Sequence, residues 1–138
     1  MAKATGIGGV FFRSADIKAT AEWYERCLGV ETQTWDGGCF SEFKWRELDD
    51  PDKTAYTVWS PFNQKTEYFD PGGADFMINY RVDDLDAVLE HLKAQGVEIV
   101  GDTTEEPYGR FAWIIDIDGR KVELWEPAAE AAETEKES

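Results

Sequence analysis

The 138-residue chain writes one pattern twice. Phe12-Arg13-Ser14-Ala15-Asp16 stands 68 positions before Tyr80-Arg81-Val82-Asp83-Asp84, and Leu28-Gly29-Val30-Glu31 stands 67 before Gln95-Gly96-Val97-Glu98. Val58-Trp59-Ser60-Pro61 stands 66 before Leu124-Trp125-Glu126-Pro127. A drift of two residues across the unit is ordinary loop variation. The repeat restricts the fold sharply, because neither half is large enough to bury its own sheet face. In the first half, Gly8–Ser14 reads as a strand. Asp16 caps a helix over Ile17–Leu28 with Ala19, Trp23, Cys27 and Leu28 on one face, and Gly29 ends it. Strands are predicted near Glu31–Trp35, Cys39–Leu48 and Ala55–Pro61, with Asp49-Asp50-Pro51-Asp52 as a solvated turn. In the second half the same order gives a strand over Phe76–Val82 and a cap at Asp84. A helix over Leu85–Ala94 follows, carrying Leu85, Val88, Leu89 and Leu92 and stopped by Gly96. Strands follow near Glu98–Val100, Arg110–Asp116 and Lys121–Trp125, the last two joined by a two-residue Asp118-Gly119 turn with positive φ at both positions.

The predicted fold class is α+β: two βαβββ modules in tandem, about 5–70 and 75–127, within a single domain 1–127. Their sheets curl around a shared cavity, and Pro71-Gly72-Gly73 links them. Residues 128–138, rich in Ala and Glu without an apolar stripe, are expected to be a disordered acidic tail. With 42% hydrophobic residues and 6 Trp, a core of this size is attainable.

Charge and residue counts remove whole classes of function. Lys+Arg 14 against Asp+Glu 29 gives a net charge of −15, which repels phosphate backbones and anionic membranes, so nucleic-acid and membrane partners are excluded. No apolar run approaches the ~20 residues that span a bilayer, and Met1–Thr5 enters Gly6 and Ile7 without a leader-like segment. A cytoplasmic protein is expected. Cys27 and Cys39 show no CxxC spacing and read as reduced thiols. The single histidine, His91, excludes a one-chain site needing two, such as the two-His-one-carboxylate iron triad or HExxH zinc chemistry. It reads as an exposed helix residue beside Glu90 and Lys93. Asp116-Ile117-Asp118-Gly119 lacks the later bidentate acid of a calcium loop, and Gly6, Gly8 and Gly9 enter a strand, unlike a dinucleotide fingerprint.

Several segments together resemble the vicinal oxygen chelate superfamily of glyoxalase I, extradiol dioxygenases and bleomycin-resistance proteins, and especially its small bacterial glyoxalase-like members. They are the paired modules, the opening Gly9–Asp16, Trp23-Tyr24 ahead of Leu28-Gly29-Val30, and the closing Asp116–Pro127. The resemblance implies a glyoxalase/bleomycin resistance/dioxygenase fold over nearly the whole chain, a small-molecule ligand and a homodimer. It also implies metal-ligand positions at Gly9, Thr57, Met77 and Glu123. Only Glu123 is a residue type the family uses there, so no metal cofactor of the usual type is expected. Glyoxalase I members hold a substrate carboxylate with an arginine at the position of Arg13.

Strand alternation extends that set. If Gly9, Thr57, Met77 and Glu123 point inward, so do Phe11, Arg13, Trp59, Asn79, Arg81 and Trp125. One reading is a ligand pocket: Arg13 and Arg81 grip an anionic group, Asn79 orients a polar one, and Phe11, Trp59 and Trp125 pack an apolar or aromatic body. Glu123 then serves as the catalytic proton-transfer group. The other reading is an ion pair between Glu123 and one of the arginines in place of a metal. Tyr108 and Arg110 fit a cavity mouth or a hairpin, and Tyr68-Phe69 a lid or a dimer contact. Two further functions compete: sequestration of a bulky cationic compound, favoured by the charge, and metal-dependent chemistry using Glu123 with Glu42, Glu67 or Glu106.

Overall fold

Both copies of the repeat fold as the pattern predicts, and they share one sheet. The computed structural model describes residues 2–35 and 37–128; the acidic segment expected to be disordered lies, beyond Ala128, outside the described residues. The first module is β1 (Ala4–Ser14), α1 (Ile17–Leu28), β2 (Gln33–Trp35), β3 (Gly38–Arg46) and β4 (Thr54–Asn63). The second is β5 (Phe76–Val82), α2 (Leu85–Ala94), β6 (Thr104–Glu106), β7 (Gly109–Ile115) and β8 (Lys121–Pro127). The eight strands run in the order β2-β3-β4-β1-β5-β8-β7-β6. β1 and β5 meet antiparallel at the centre, and each is paired in parallel with the last strand of its own module, β4 or β8.

Local chemistry explains the helices. Asp16 and Asp84 are both extended N-caps whose carboxylates accept from the amides of Ala19 and Ala87, satisfying one orphan donor in each first turn. Gly29 and Gly96 follow the helices at φ 70° and 77°, a conformation that a β-carbon disfavours. α2 buries Leu85 and Leu89 against Val82, Ala112, Val122 and Leu124, with Tyr80, Val88 and Leu92 around them. This core lies on the outer face of the sheet. α1 departs from its predicted face: Trp23 is 47% exposed and Leu28 more so, while Ala21 is buried and Tyr24 packs 4.8 Å from the Trp59 ring.

Two predicted β features are corrected. Glu98–Val100 forms only an isolated bridge, Ile99 to Ile114, and the short strand lies at Thr104–Glu106. Gly101, at φ 70°, separates them. The β7–β8 connection spans 116–120, where Asp116 accepts from the amides of Asp118 and Arg120 and pairs with the Arg120 guanidinium. A side-chain-capped loop therefore replaces the tight two-residue turn.

Candidate functional site

The inner face of the sheet is built around a bulge. The pairing of β1 with β5 shifts register between Ile7 and Gly9, so Gly8 and Gly9 both abut inner-face side chains. A β-carbon on Gly8 would lie 2.3 Å from Asn79 Oδ1, 2.9 Å from the Trp125 ring and 3.0 Å from Arg81 Cγ. One on Gly9 would lie 2.7 Å from the Phe11 ring. The absence of two side chains is what lets Asn79, Arg81 and Trp125 occupy the centre. Gly8→Ala is expected to cost about 1–3 kcal/mol in urea denaturation, whereas Gly73→Ala, with nothing within 4 Å, should change stability by less than about 0.5 kcal/mol.

Glu123 lies at the middle of this face, 3% exposed. β8 pairs it with Asn79 on β5, whose amide donates to Oε1 at 2.8 Å. Oε2 accepts from the Tyr68 hydroxyl at 2.5 Å and from the Trp113 indole at 3.2 Å. Burial pushes the carboxyl pKa above its ordinary value, against the opposing pull of these three donors and of the Lys121 charge. Burial, followed by the neighbouring Glu123 charge, raises the Tyr68 phenol in turn. No arginine pairs with Glu123 among the described residues; its partners are neutral donors. The expected ion pair is replaced by a hydrogen-bonded cluster.

Tyr68 arrives from a segment that crosses over the sheet. Residues 64–75, between β4 and β5, form a strap across the inner face, with Phe69 1% exposed against Phe11 and Met77. Arg13 holds it. Its Nη1 donates to the carbonyls of Gln64 and Thr66 at 2.9 and 2.7 Å, and its guanidinium lies 5.2 Å from the Phe69 ring and 3.7 Å from Asp75. On the other side, Lys121 Nζ donates to the Tyr68 carbonyl at 2.7 Å, and the Gly73 amide donates to the Gly119 carbonyl. Arg13 is therefore a latch for the strap, with its Nη1 already engaged by two backbone carbonyls. Tyr68 and Phe69 both lie on this strap, Phe69 packed beneath it and Tyr68 37% exposed.

The inner face brings together Phe11, Met77, Asn79, Arg81, Glu123 and Trp125. Thr57 and Trp59 do not join them as expected. Trp59 packs on the outer face beneath α1, 5.2 Å from Phe12. Thr57 ties the bulge: its hydroxyl donates to the Ile7 carbonyl and accepts from the Trp45 indole. The cause is register. β4 sets Val58 beside Gly9, so Val58 and Phe62, with Tyr56 against Trp125, take the inward positions. A one-residue difference exchanges the faces of a strand. Trp113, Lys121 and Trp45 were not singled out in the sequence, and Tyr68 only as a lid or dimer contact, not as a partner of Glu123. Alternation from Glu123 reaches Lys121, but Tyr68 and Trp45 are supplied by distant segments.

The four positions that the resemblance assigns to metal do not fit one. Gly9 has no donor, and Phe11 and Asn79 fill the space its side chain would take. Met77 is a fully buried thioether, the Thr57 hydroxyl is engaged, and both Glu123 oxygens already accept hydrogen bonds. Among the described residues no three His, Cys, Asp or Glu cluster to hold a metal, so Glu42, Glu67 and Glu106 do not assemble with Glu123. His91 stays on α2, away from the inner face. Arg110 pairs with Asp86 and Glu105, and the carbonyl of Tyr108 accepts from the Trp125 indole, which serves the hairpin edge.

A family model described as Glyoxalase/Bleomycin resistance protein/Dioxygenase superfamily matches residues 6–124. A search of curated proteins gives no match. Among solved structures, methylmalonyl-CoA epimerase from Mycobacterium tuberculosis superposes with TM-score 0.60 at 25% identity, over 94% of this chain and 93% of that one. A Streptomyces coelicolor methylmalonyl-CoA epimerase variant in complex with 2-nitronate-propionyl-CoA gives 0.67 at 20% identity, covering 92% and 100%. A member of the same superfamily from Vibrio splendidus 12B01 gives 0.58 at 12% identity, covering 87% and 97%. Among the described residues no helix is long and apolar enough to cross a membrane.

Proposed function

The chain belongs to the glyoxalase/bleomycin resistance protein/dioxygenase superfamily, and from that premise we propose that its inner sheet face takes a small organic ligand beneath the 64–75 strap while Glu123 moves a proton. One observation carries this reading: a carboxyl group 3% exposed, its pKa raised by burial, and held on both oxygens by neutral donors from three different elements. A raised carboxyl pKa brings a base closer to the strength of the proton it must take and lets it act as an acid in the return step.

The neighbouring side chains divide the remaining work. Asn79 and Trp113 fix the carboxylate rotamer. Tyr68, the outermost member at 37% exposed, stands between Glu123 and solvent, so a reacting carbon reaches the carboxylate when the strap lifts and Tyr68 withdraws. Closure then excludes water. A ligand carbon acid is the fitting substrate type, because a single carboxylate can remove and return a proton beside a carbonyl group. The naming of the M. tuberculosis neighbour as an epimerase supports the same class of chemistry. Sequestration of a cation is disfavoured by Arg13, Arg81 and Lys121 on or around this face. No step in this reading runs through a metal.

The test is proton exchange. A panel of carbon acids, 2-oxo carboxylates and malonyl-type thioesters, is incubated with the protein in D2O and followed by NMR. At least one member should exchange its α-proton, and Glu123→Gln should slow that exchange at least ~100-fold while still binding the compound. Exchange at the wild-type rate in Glu123→Gln, or binding without any exchange by the wild type, overturns proton transfer by Glu123.

A further inference from the structure

One charged group on the inner face keeps two donors without a hydrogen-bond partner among the described residues. Arg81, on β5 two residues beyond Asn79, is 6% exposed. Its Nε and Nη1 are buried without a hydrogen-bond partner among the described residues. Arg81 takes no part in the ion pairs that engage Arg13, Arg110 and Arg120; burial pulls its pKa down, and the Glu47 charge works in the other direction. What it does touch is aromatic: its guanidinium carbon lies 5.0 Å from the Trp125 ring and 5.5 Å from the Trp45 ring. Cation–π contact offsets part of the desolvation, but a ring face accepts nothing from an N–H at the guanidinium rim, and each buried donor left unmet weakens the fold.

The surroundings are made for this side chain. Gly6 has no β-carbon where the Trp45 ring passes, 2.6 Å away, and Gly8 has none where Arg81 Cγ, Trp125 and Asn79 Oδ1 converge. Asn79 Oδ1 is a second buried atom without a partner. Glu123, Asn79 and Arg81 thus form a polar row on two adjacent strands, with Asn79 paired to Glu123 and Arg81 to Trp125. Trp45, half-buried near the end of β3 and tied by one indole hydrogen bond to Thr57, is the movable wall over the row's charged end.

We propose that Arg81 is an anion subsite that takes the carboxylate of an organic acid, a carboxylate oxygen meeting one of its two unmet donors, Nε or Nη1, and Asn79 Oδ1 accepting a hydrogen bond from the same molecule. The proposal rests on the reading that a ligand binds this face, and it adds the ligand's class. It also sets a length: one side-chain repeat along a strand is about 7 Å, so the carboxylate and the carbon presented to Glu123 are separated by roughly that span. A monoanion suits the site better than a phosphate dianion, because a single guanidinium faces it and the protein carries −15 overall.

Benzoate, benzamide and phenyl phosphate are the probes, titrated calorimetrically and by tryptophan fluorescence, since Trp45 and Trp125 border the guanidinium. Benzoate is expected to bind the wild type at least ~10-fold more tightly than benzamide. Arg81→Met, which keeps the packing volume, should erase that preference, whereas Lys93→Met, on the exposed side of α2, should leave it within ~3-fold. The wild-type comparison needs no variant, so a poorly folded Arg81→Met does not blunt the test. Equal affinity for benzoate and benzamide, or an unchanged preference in Arg81→Met, overturns the carboxylate subsite. Tighter binding of phenyl phosphate than of benzoate overturns the assignment of a carboxylate. These failures are separate from loss of the proton-transfer reading, which depends on exchange in Glu123→Gln and not on the charge of the ligand.

Discussion

Phe69→Ala is expected to lower the free energy of unfolding by about 3–5 kcal/mol, a large share of the stability of a domain this size. Phe69 belongs to a loop, where substitutions are usually tolerated. Yet it is 1% exposed and packs with Phe11 and Met77, 5.4 Å from the Phe62 ring and under the Arg13 guanidinium. Truncation removes a full aromatic ring from the inner core and leaves a cavity that the two halves of one sheet, joined through β1 and β5, cannot easily close. It also leaves the Arg13 cation without its aromatic neighbour. Phe76→Ala, at 41% exposed, is the matched control and should cost about 1 kcal/mol or less. Urea denaturation of both variants decides the matter. A loss under 1 kcal/mol for Phe69→Ala would show that the strap is an accessory cover and not part of the core.

Glu123→Gln should make the protein more stable at neutral and mildly alkaline pH, by a margin that grows with pH. The sign follows from linkage. Burial raises the pKa of Glu123 in the folded state, while the unfolded chain titrates near the ordinary ~4.3. Below that value both states hold the proton and the residue costs nothing electrostatically. As pH rises, the unfolded state releases its proton first. Wild-type stability then falls by up to about 1.4 kcal/mol per pH unit until the folded carboxyl also ionises. Glutamine removes that term and keeps an oxygen for Asn79 or Trp113. The exposed pairs Asp86–Arg110 and Asp116–Arg120 act in the opposite direction, since their carboxyls titrate below the usual range. They are common to both proteins and cancel in the difference. Denaturation at pH 4.5 and pH 8 gives the comparison. A stability difference that stays constant across that range would mean that the three donors outweigh burial and that Glu123 titrates normally.

Much of the architecture was legible because it is written locally. The caps at Asp16 and Asp84 act three residues away, the glycines after each helix need only their own φ, and the repeat offsets aligned two modules before any contact was known. Those features carried the βαβββ pair. The family came from its resemblance at Gly9–Asp16 and Asp116–Pro127, and the ligand positions that resemblance implies, extended by strand alternation, placed Phe11, Met77, Asn79, Arg81, Glu123 and Trp125 on one face. The glycines of β1 were visible too, though their use was not: their meaning lies in the Trp45, Asn79 and Trp125 side chains they make room for.

What only the tertiary structure decided is who meets whom across the sheet. The inward face of β4 depends on its parallel register with β1 next to a bulge, so Trp59 went beneath α1 and Val58 turned inward. The Glu123 carboxylate finds Tyr68 55 positions away and Asn79 44 away, and Arg13 reaches carbonyls more than 50 positions on. Such pairings carry no periodic signature, because they arise from how a loop settles on a surface that two modules make together. The sequence by itself determined the elements, their order and the candidate carboxylate. The folded chain determined that this carboxylate is held by neutral donors, that Arg13 is engaged by the strap, and that the buried Arg81 keeps two donors unmet among the described residues. A buried charge takes its role from the groups packed around it, and those groups come together only when distant strands close on one another.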